Sequence, residues 1–168
     1  MTDDKTAMAM ASFDATLATS KDPAAIWSAL QALAEAVVGA KLFTVMAVDF
    51  DKDVAGRVHT SDPENYAVSG TKPINRTRWF DVVHVERRPF VANTIKEIAE
   101  VFPDHETIWS LGCGSVVNLP VVIADELAGT VNLLDVEHYY TPERVKAAAE
   151  QLSLPAKAAF LAAEKLAS

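Results

Sequence analysis

The chain has 168 residues, 50% of them hydrophobic, and a formal net charge of −8 at pH 7. This length suits one domain with one core, and the acidic balance argues against nucleic acid and anionic lipid as partners, because both attract clustered positive charge. No apolar stretch approaches the ~20 residues of a membrane span, and Asp3 and Asp4 stand where a signal peptide would be basic. We therefore expect a cytoplasmic protein with no nucleic-acid or membrane partner.

Two helices are predicted at the N-terminal end. Residues 7–18 place apolar side chains at helical spacing before a break at Pro23. The second helix begins at Pro23 with Asp22 as its N-cap, because proline suits the first helical position. Its apolar residues recur at three- and four-residue steps, and Gly39 is typical of a helix end.

The middle of the chain is predicted to combine strands, a loop and short helices. Residues 42–50 and 54–60 form a pair of strands, since the first is almost wholly apolar and a polar turn joins the two. A loop rich in turn-forming residues begins at residue 61 and leads to a helix at 77–87, which ends before Pro89. The remaining elements are a short strand at 90–93 and short helices at 95–102 and 104–111, the last with Asp104 as its cap.

A buried β-hairpin at residues 115–134 is the most regular part of the sequence. Its strands are rich in Val and Leu, and residues 124–126 form a predicted three-residue loop between them. That loop places Leu119 opposite Val131 and gathers the apolar residues on one side of the hairpin. The other, mixed side carries Asn118, Pro120, Thr130 and Asn132.

A long helix is predicted after the hairpin. Thr141 and Pro142 suit its N-cap and first position. Pro155 interrupts the apolar stripe of this helix, and we expect a kink or a brief break there. Antiparallel hairpins at both ends of a sheet, with terminal helices packed together on one face, predict an α+β fold.

The second half of the chain resembles a GAF domain. The residues that carry this resemblance are Ser115, Leu119, Pro120, Val121, Gly129, Leu133, Leu134, Tyr140 and Thr141. It implies a GAF-like fold, related to profilin and PAS domains, with a five- or six-stranded antiparallel sheet. Terminal helices would cover one face, and a ligand pocket would lie under the middle helices on the other. On this basis residues 1–21 are an N-terminal helical extension and residues 22–168 the GAF-like domain.

The mixed side of the hairpin faces the implied pocket if the apolar side packs on the terminal helices. Asn118 and Asn132 would then lie on the pocket floor, where a buried amide must be paired by protein, water or ligand. A structural role, in which the two amides pair with each other, stays open beside a ligand role. Trp79 and Trp109 lie on the helices expected to cover the pocket, as walls or as core. The candidate ligand-binding residues are Trp79, Asn93, Trp109, Cys113, Asn118, Thr130 and Asn132.

Residues 69–88 form a basic segment in this acidic chain, with five Lys and Arg residues against two acids. Arginine side chains bind carboxylate and phosphate groups through paired hydrogen bonds. The expected partner of the protein is an unknown small metabolite. The basic segment either binds an anionic group of that metabolite or is a solvated helix end that binds nothing.

Cys113 is the only cysteine, which excludes an internal disulfide and a zinc cluster of several cysteines from one chain. Stand-alone GAF proteins of this length resemble free methionine-R-sulfoxide reductases, which use several cysteines, and this chain lacks a second thiol to resolve an oxidised Cys113. We therefore predict a small-molecule-binding sensory module without catalytic residues, metal or cofactor, and a homodimer formed through Ala-rich terminal helices. A thiol-dependent reductase and a structural dimerisation subunit are the alternatives.

Overall fold

The computed structural model describes residues 4–167. The centre of the fold is an antiparallel sheet. Its strands are β1 (Leu42–Asp49), β2 (Val54–Thr60), β3 (Lys72–Pro73), β4 (Phe90–Ala92), β5 (Ser115–Ile123) and β6 (Glu126–Asp135). They lie side by side in the order β3-β2-β1-β6-β5-β4. The hairpin of β5 and β6 therefore lies near the centre of the sheet, and the two shortest strands form its edges.

Helices cover both faces of this sheet. They are α1 (Asp4–Thr19), α2 (Pro23–Val37), α3 (Arg78–Phe80), α4 (Ile95–Ala99), α5 (His105–Ser110) and α6 (Pro142–Ala167), and a π-helix, Asp81–Val85, directly continues α3. The long helices α1, α2 and α6 share one core with the sheet, and the short middle helices share another. The α+β arrangement expected from the sequence is confirmed, with six strands. No helix among the described residues combines the length and apolar character needed to cross a bilayer.

The strands supply side chains to two separate cores, as their alternation requires. The first core, on the side of the terminal helices, includes Phe13, Trp27, Leu30, Phe43, Val45, Val117, Leu119, Val131, Leu133, Leu152 and Phe160. The second core, under the middle helices, includes Leu42, Val83, Phe90, Ile98, Ile108, Cys113, Val116, Leu127 and Leu134. The predicted apolar side of the hairpin thus packs on the terminal helices.

The hairpin has the predicted pairing but a shorter loop. Leu119 lies opposite Val131, as the sequence indicates, and the register shifts by one residue beside Val121. The loop consists of Ala124 and Asp125, whose φ angles of 52° and 62° suit a tight type I′ turn. The prediction of a three-residue loop was therefore wrong. The third residue pairs within β6, and a bulge in that strand restores the predicted pairing from Val121 onwards.

The predicted helix ends are confirmed at two positions. The Asp22 side chain accepts a hydrogen bond of 3.0 Å from a first-turn N–H of α2, and Thr141 Oγ1 accepts one of 3.3 Å from a first-turn N–H of α6. Helix α6 continues through Pro155 without interruption, so the expected break is absent. Leu152 and Ala156 on either side of this proline are buried, so tertiary packing stabilises the helix on both sides of it.

Helix α1 is slightly longer than the predicted helix at residues 7–18. It packs on α2, and its Phe13 is buried in the first core. The division into an extension at 1–21 and a domain at 22–168 stays a prediction, and its residues 1–3 and 168 lie outside the described range. Burial of Phe13 shows that α1 contributes to the common core.

Candidate ligand-binding cavity

A cavity of about 370 Å³ lies on the sheet face opposite the terminal helices. Its floor is formed by strand residues Thr44, Met46, Val48, Ala55, Gly56, Arg57, Val116, Asn118, Thr130, Asn132 and Leu134. Its walls come from Tyr66, Ser69, Lys72, Pro73, Ile74, Asn75, Thr77, Trp79, Phe80, Val101, Phe102, Pro103, Asp104 and Ile108. This volume lies within the range of roughly 300–1,000 Å³ that is usual for small-molecule sites.

A row of three polar side chains crosses the middle of the floor, and we call Asn118, Asn132 and Thr44 the polar rung. Asn118 on β5 lies opposite Asn132 on β6, which in turn lies opposite Thr44 on β1. Asn118 Nδ2 donates a hydrogen bond of 2.6 Å to Asn132 Oδ1, and Asn132 Nδ2 donates one of 3.0 Å to Thr44 Oγ1. The two amides therefore pair with each other, the structural alternative considered from the sequence, while lining the cavity.

Trp79 joins this row from the wall of the cavity. Its Nε1–H donates a hydrogen bond of 3.0 Å to Asn118 Oδ1. The indole also packs against the second core, with an edge-to-face contact to Phe102 at 6.4 Å between ring centroids. Trp79 is therefore both a core residue and a cavity wall, the two roles that the sequence left open.

Thr130 lies on the neighbouring row of the floor, opposite Met46 on β1 and Pro120 on β5. Its side chain is buried, with 0% of the residue exposed, and no hydrogen-bond partner for Oγ1 is found among the described residues. Buried hydroxyl groups in folded proteins nearly always have a partner. Thr130 therefore marks a place on the floor where a bound molecule could supply a missing hydrogen bond.

Arg57 at the edge of the floor forms a cluster with the wall residues Tyr66 and Asp104, which joins three segments distant in sequence. The Tyr66 hydroxyl donates to the Asp104 carboxylate, and the Arg57 guanidinium lies over the Tyr66 ring, 3.7 Å from its centroid. Burial and the nearby Asp104 charge raise the pKa of Tyr66, which keeps its hydroxyl protonated as a donor.

The same cluster explains why Asp104 does not cap α5 as predicted. No hydrogen bond runs from the helix N-terminus to its side chain. The carboxylate instead accepts from Tyr66 and lies 3.7 Å from the Arg57 guanidinium. Sequence analysis missed Arg57 and Tyr66 as cavity residues, because no local spacing relates positions that only the fold brings together.

The other three candidate residues lie away from this cavity. Cys113 is fully buried in the second core, and burial, followed by the Asp135 charge, raises the pKa of its thiol to about 11. Asn93 follows β4, and its buried Oδ1 has no partner within residues 4–167. Neither residue contributes to the lining of the cavity.

Trp109 also differs from its expected placement. It is 54% exposed and lies beside a shallow surface depression bordered by Gly112 and Gly114. Within the short helix α5, Ile108 takes the inward position and lines the cavity, so the next side chain points outward. The expectation that Trp109 covers the same pocket as Trp79 is therefore corrected.

The arginines of the basic segment 69–88 are held in ion pairs. These pairs are Arg76 with Asp53, Arg78 with Glu100, Arg87 with Asp125 and Arg88 with Glu86. They lie at the surface, where such pairs are weak and exchange readily. Lys72 lines the cavity and has no ion pair in the described part of the chain. The expectation of an anionic ligand stays a prediction.

No group of three or more His, Cys, Asp or Glu residues within 4–167 is placed to hold a metal ion. No family model matches the sequence, and no curated protein matches it.

Solved structures show the fold clearly. The chain is similar to the GAF domain of a phosphoenolpyruvate-protein phosphotransferase from Coxiella burnetii, with a TM-score of 0.69, 14% identity and 98% of each chain covered. It is also similar to the GAF domain of a two-component sensor histidine kinase from Bacillus halodurans, with a TM-score of 0.67, 10% identity, and 84% of this chain and 95% of that one covered.

A third similar structure is that of free methionine-R-sulfoxide reductase from Neisseria meningitidis, solved in complex with its substrate. The TM-score is 0.65 at 16% identity, with 98% of this chain and 95% of that one covered. Identities at this level speak to the fold alone. The chain has the GAF-domain fold that the sequence resemblance implied.

Proposed function

We propose that this protein is a sensory module that binds a small metabolite in the cavity above the polar rung. The observation that carries this proposal is the buried Thr130 hydroxyl, which has no partner among the described residues and lies in the floor of a cavity of about 370 Å³. A buried hydroxyl without a partner costs free energy, and a ligand that pairs with it removes that cost. Structures of similar fold include a sensor histidine kinase and a methyl-accepting chemotaxis protein, which supports a sensory role.

Native mass spectrometry of the protein purified from its own host would test whether a small molecule copurifies with it. Metabolites found in this way, or in a thermal-shift screen, are then tested against Asn118→Leu and Asn132→Leu. We expect both variants to lose the ligand-induced thermal shift. Asn93→Leu is the matched control, because it makes the same substitution outside the cavity and should keep the shift.

Thr130→Val separates a ligand role from a structural one. It preserves the shape of the side chain and removes the hydroxyl that has no partner in residues 4–167. The ligand-free variant should be at least as stable as the parent, because no hydrogen bond is lost. Its ligand-induced thermal shift should nevertheless fall. Unchanged shifts in this variant and in both Asn variants would show that the cavity assignment is wrong.

A reductase remains the rival function, and Cys113 argues against it. The thiol is buried and its raised pKa leaves little thiolate at neutral pH, although thiolate is the reactive form. Turnover of methionine sulfoxide or peroxide that disappears in Cys113→Ser would overturn the sensory proposal. The absence of catalysis stays a prediction from the sequence, as does the cytoplasmic location.

A homodimer through the terminal helices is a second part of the proposal. Apolar side chains on α1 and α6 are exposed in the single chain, among them Met8, Leu154 and Leu161. Ala-rich helices can approach one another closely and bury such side chains. Sedimentation should show a dimer at micromolar concentration, and a monomer would contradict this part of the proposal. A protein that dimerises without binding any metabolite would favour the purely structural alternative.

A further inference from the structure

We infer that the ligand presents a hydrogen-bond acceptor to the cavity floor, because Trp79 sets the direction of the hydrogen bonds along the polar rung and leaves the Thr44 hydroxyl as a free donor. This inference rests on the proposed function and adds the chemical class of the ligand. The expected molecule is planar and carries an unprotonated ring nitrogen, a carbonyl oxygen or a carboxylate.

The direction begins at the indole. Trp79 Nε1–H can only donate a hydrogen bond, so the group 3.0 Å from it must be the Asn118 oxygen. The same amide must then turn its Nδ2 towards Asn132, which accepts through Oδ1 at 2.6 Å. A donor-only group at one end therefore assigns the oxygen and nitrogen atoms of both amides.

The direction ends at Thr44. Asn132 turns its Nδ2 to Thr44 Oγ1 at 3.0 Å, so this hydroxyl accepts and its own hydrogen must find another partner. No acceptor for that hydrogen is found among the described residues. Thr44 is only 4% exposed, which leaves little access to bulk water. The open end of the polar rung is therefore a hydrogen-bond donor in the cavity floor.

Thr130 strengthens this assignment from the neighbouring row. Its hydroxyl is buried and without a partner in the described range, and the residue also lines the cavity. The Asn118 and Asn132 side-chain oxygens, in contrast, already accept hydrogen bonds. The floor thus offers the Thr44 hydrogen, which needs an acceptor, and the Thr130 hydroxyl, which can donate to the same acceptor.

The walls favour a flat molecule. Trp79, Phe80 and Phe102 line the cavity, and aromatic rings pack well against other planar rings. A planar ligand with its acceptor edge towards Thr44 and Thr130 would use both features of the site. A donor-only ring of the same size would leave the Thr44 hydrogen without an acceptor.

Quinoline, indole and naphthalene test this class directly, because they are two-ring probes that respectively offer an acceptor, a donor and neither. Their dissociation constants can be measured by ligand-observed NMR. Quinoline should bind about fivefold more tightly than the other two, since one net hydrogen bond contributes about 1 kcal/mol. Thr44→Val should reduce this preference, because only the Thr130 hydroxyl is left as a donor, and should leave naphthalene binding unchanged.

Trp79→Phe provides a second test that does not depend on Thr44→Val folding. It removes the N–H that sets the direction of the amides, so the ratio of quinoline to indole affinity should fall. Three probes that bind the parent protein equally well, or tighter binding of indole, would overturn this inference and leave the proposed function standing. Failure of all three probes to bind would overturn the proposed cavity function together with it.

Discussion

Phe160 on α6 packs its ring directly against Gly129 on β6. A Cβ atom added at Gly129 would lie 2.8 Å from the Phe160 ring and would also overlap the Met46 carbonyl oxygen of the neighbouring strand. The Phe160 ring in turn meets Trp27 of α2 edge to face, with 5.0 Å between ring centroids. The missing side chain at Gly129 thus allows α6 to approach the sheet and close the first core.

Gly129→Ala should therefore destabilise the protein severely. Because both the ring and a backbone oxygen stand in the way, we expect the free energy of unfolding to fall by about 3 kcal/mol. Urea unfolding gives this value. Gly70→Ala is the control, since a Cβ there meets nothing within 4 Å, and its effect should stay within about 0.5 kcal/mol. Similar losses in the two variants would contradict the role given to Phe160.

The sequence predicted the sheet well where burial enforces a strict alternation. The pairing of Leu119 with Val131 followed from the need to keep apolar side chains on one face. The turn was harder, because a bulge changes the loop length without changing which residues face the core. Two-residue and three-residue loops therefore leave nearly the same hydrophobic pattern in this hairpin.

The turn residues allow a second stability test. Ala124 adopts φ of 52°, a conformation that is unfavourable for alanine and tolerated by asparagine. Ala124→Asn should raise the free energy of unfolding by about 0.5 kcal/mol. Ala32→Asn, at an exposed position inside α2, should lower it by about 0.6 kcal/mol, because asparagine is a poorer helix former. Urea unfolding should thus show opposite signs, and equal signs would contradict the turn assignment.

The site was only partly accessible to prediction. The hairpin pairing placed Asn118 beside Asn132, because cross-strand neighbours follow from the register alone. The positions of Trp109 and Asp104 did not follow in this way. A short helix can turn either of two adjacent residues inward, and the contact between Asp104 and Tyr66 depends on how distant loops meet.

Cys113 makes the stability of the protein depend on alkaline pH. Burial, followed by the Asp135 charge, raises the pKa of the thiol to about 11, whereas an unfolded chain has a thiol pKa of about 8.5. Above about pH 8.5 the Cys113 thiol of the unfolded chain loses its proton while the folded protein still keeps it. The stabilisation that is present below about pH 8.5 is therefore lost as the pH rises towards 11.

The measurement is the free energy of unfolding between about pH 8 and pH 11. It should fall more steeply for the parent protein than for Cys113→Ala, whatever the packing cost of the substitution itself. Parallel curves would show that the thiol does not titrate differently in the folded state. A thiol reagent at pH 8 should also react slowly with the folded protein and fast after denaturation, because the folded thiol is buried.

Tyr66 offers the corresponding test for the cavity wall. Burial, followed by the Asp104 charge and its hydrogen bond with the phenol, raises the pKa of Tyr66, and the Arg57 guanidinium opposes them. Asp104→Asn removes the negative charge but leaves the cation 3.7 Å from the ring centroid, so tyrosinate should form at lower pH than in the parent protein. Ultraviolet absorbance follows this titration, while circular dichroism verifies that the chain stays folded.

Tyr66→Phe identifies which part of the titration belongs to this residue, because Tyr139 and Tyr140 also absorb. In the parent protein the stabilisation from the protonated Tyr66 phenol is present below about pH 10, the unfolded value, and is lost above it. In Asp104→Asn the pKa of Tyr66 in the folded protein moves closer to its pKa in the unfolded chain. This variant should therefore lose less stability above about pH 10 than the parent protein. An unchanged tyrosinate curve in Asp104→Asn would mean that Asp104 does not hold the Tyr66 hydroxyl at the wall of the cavity.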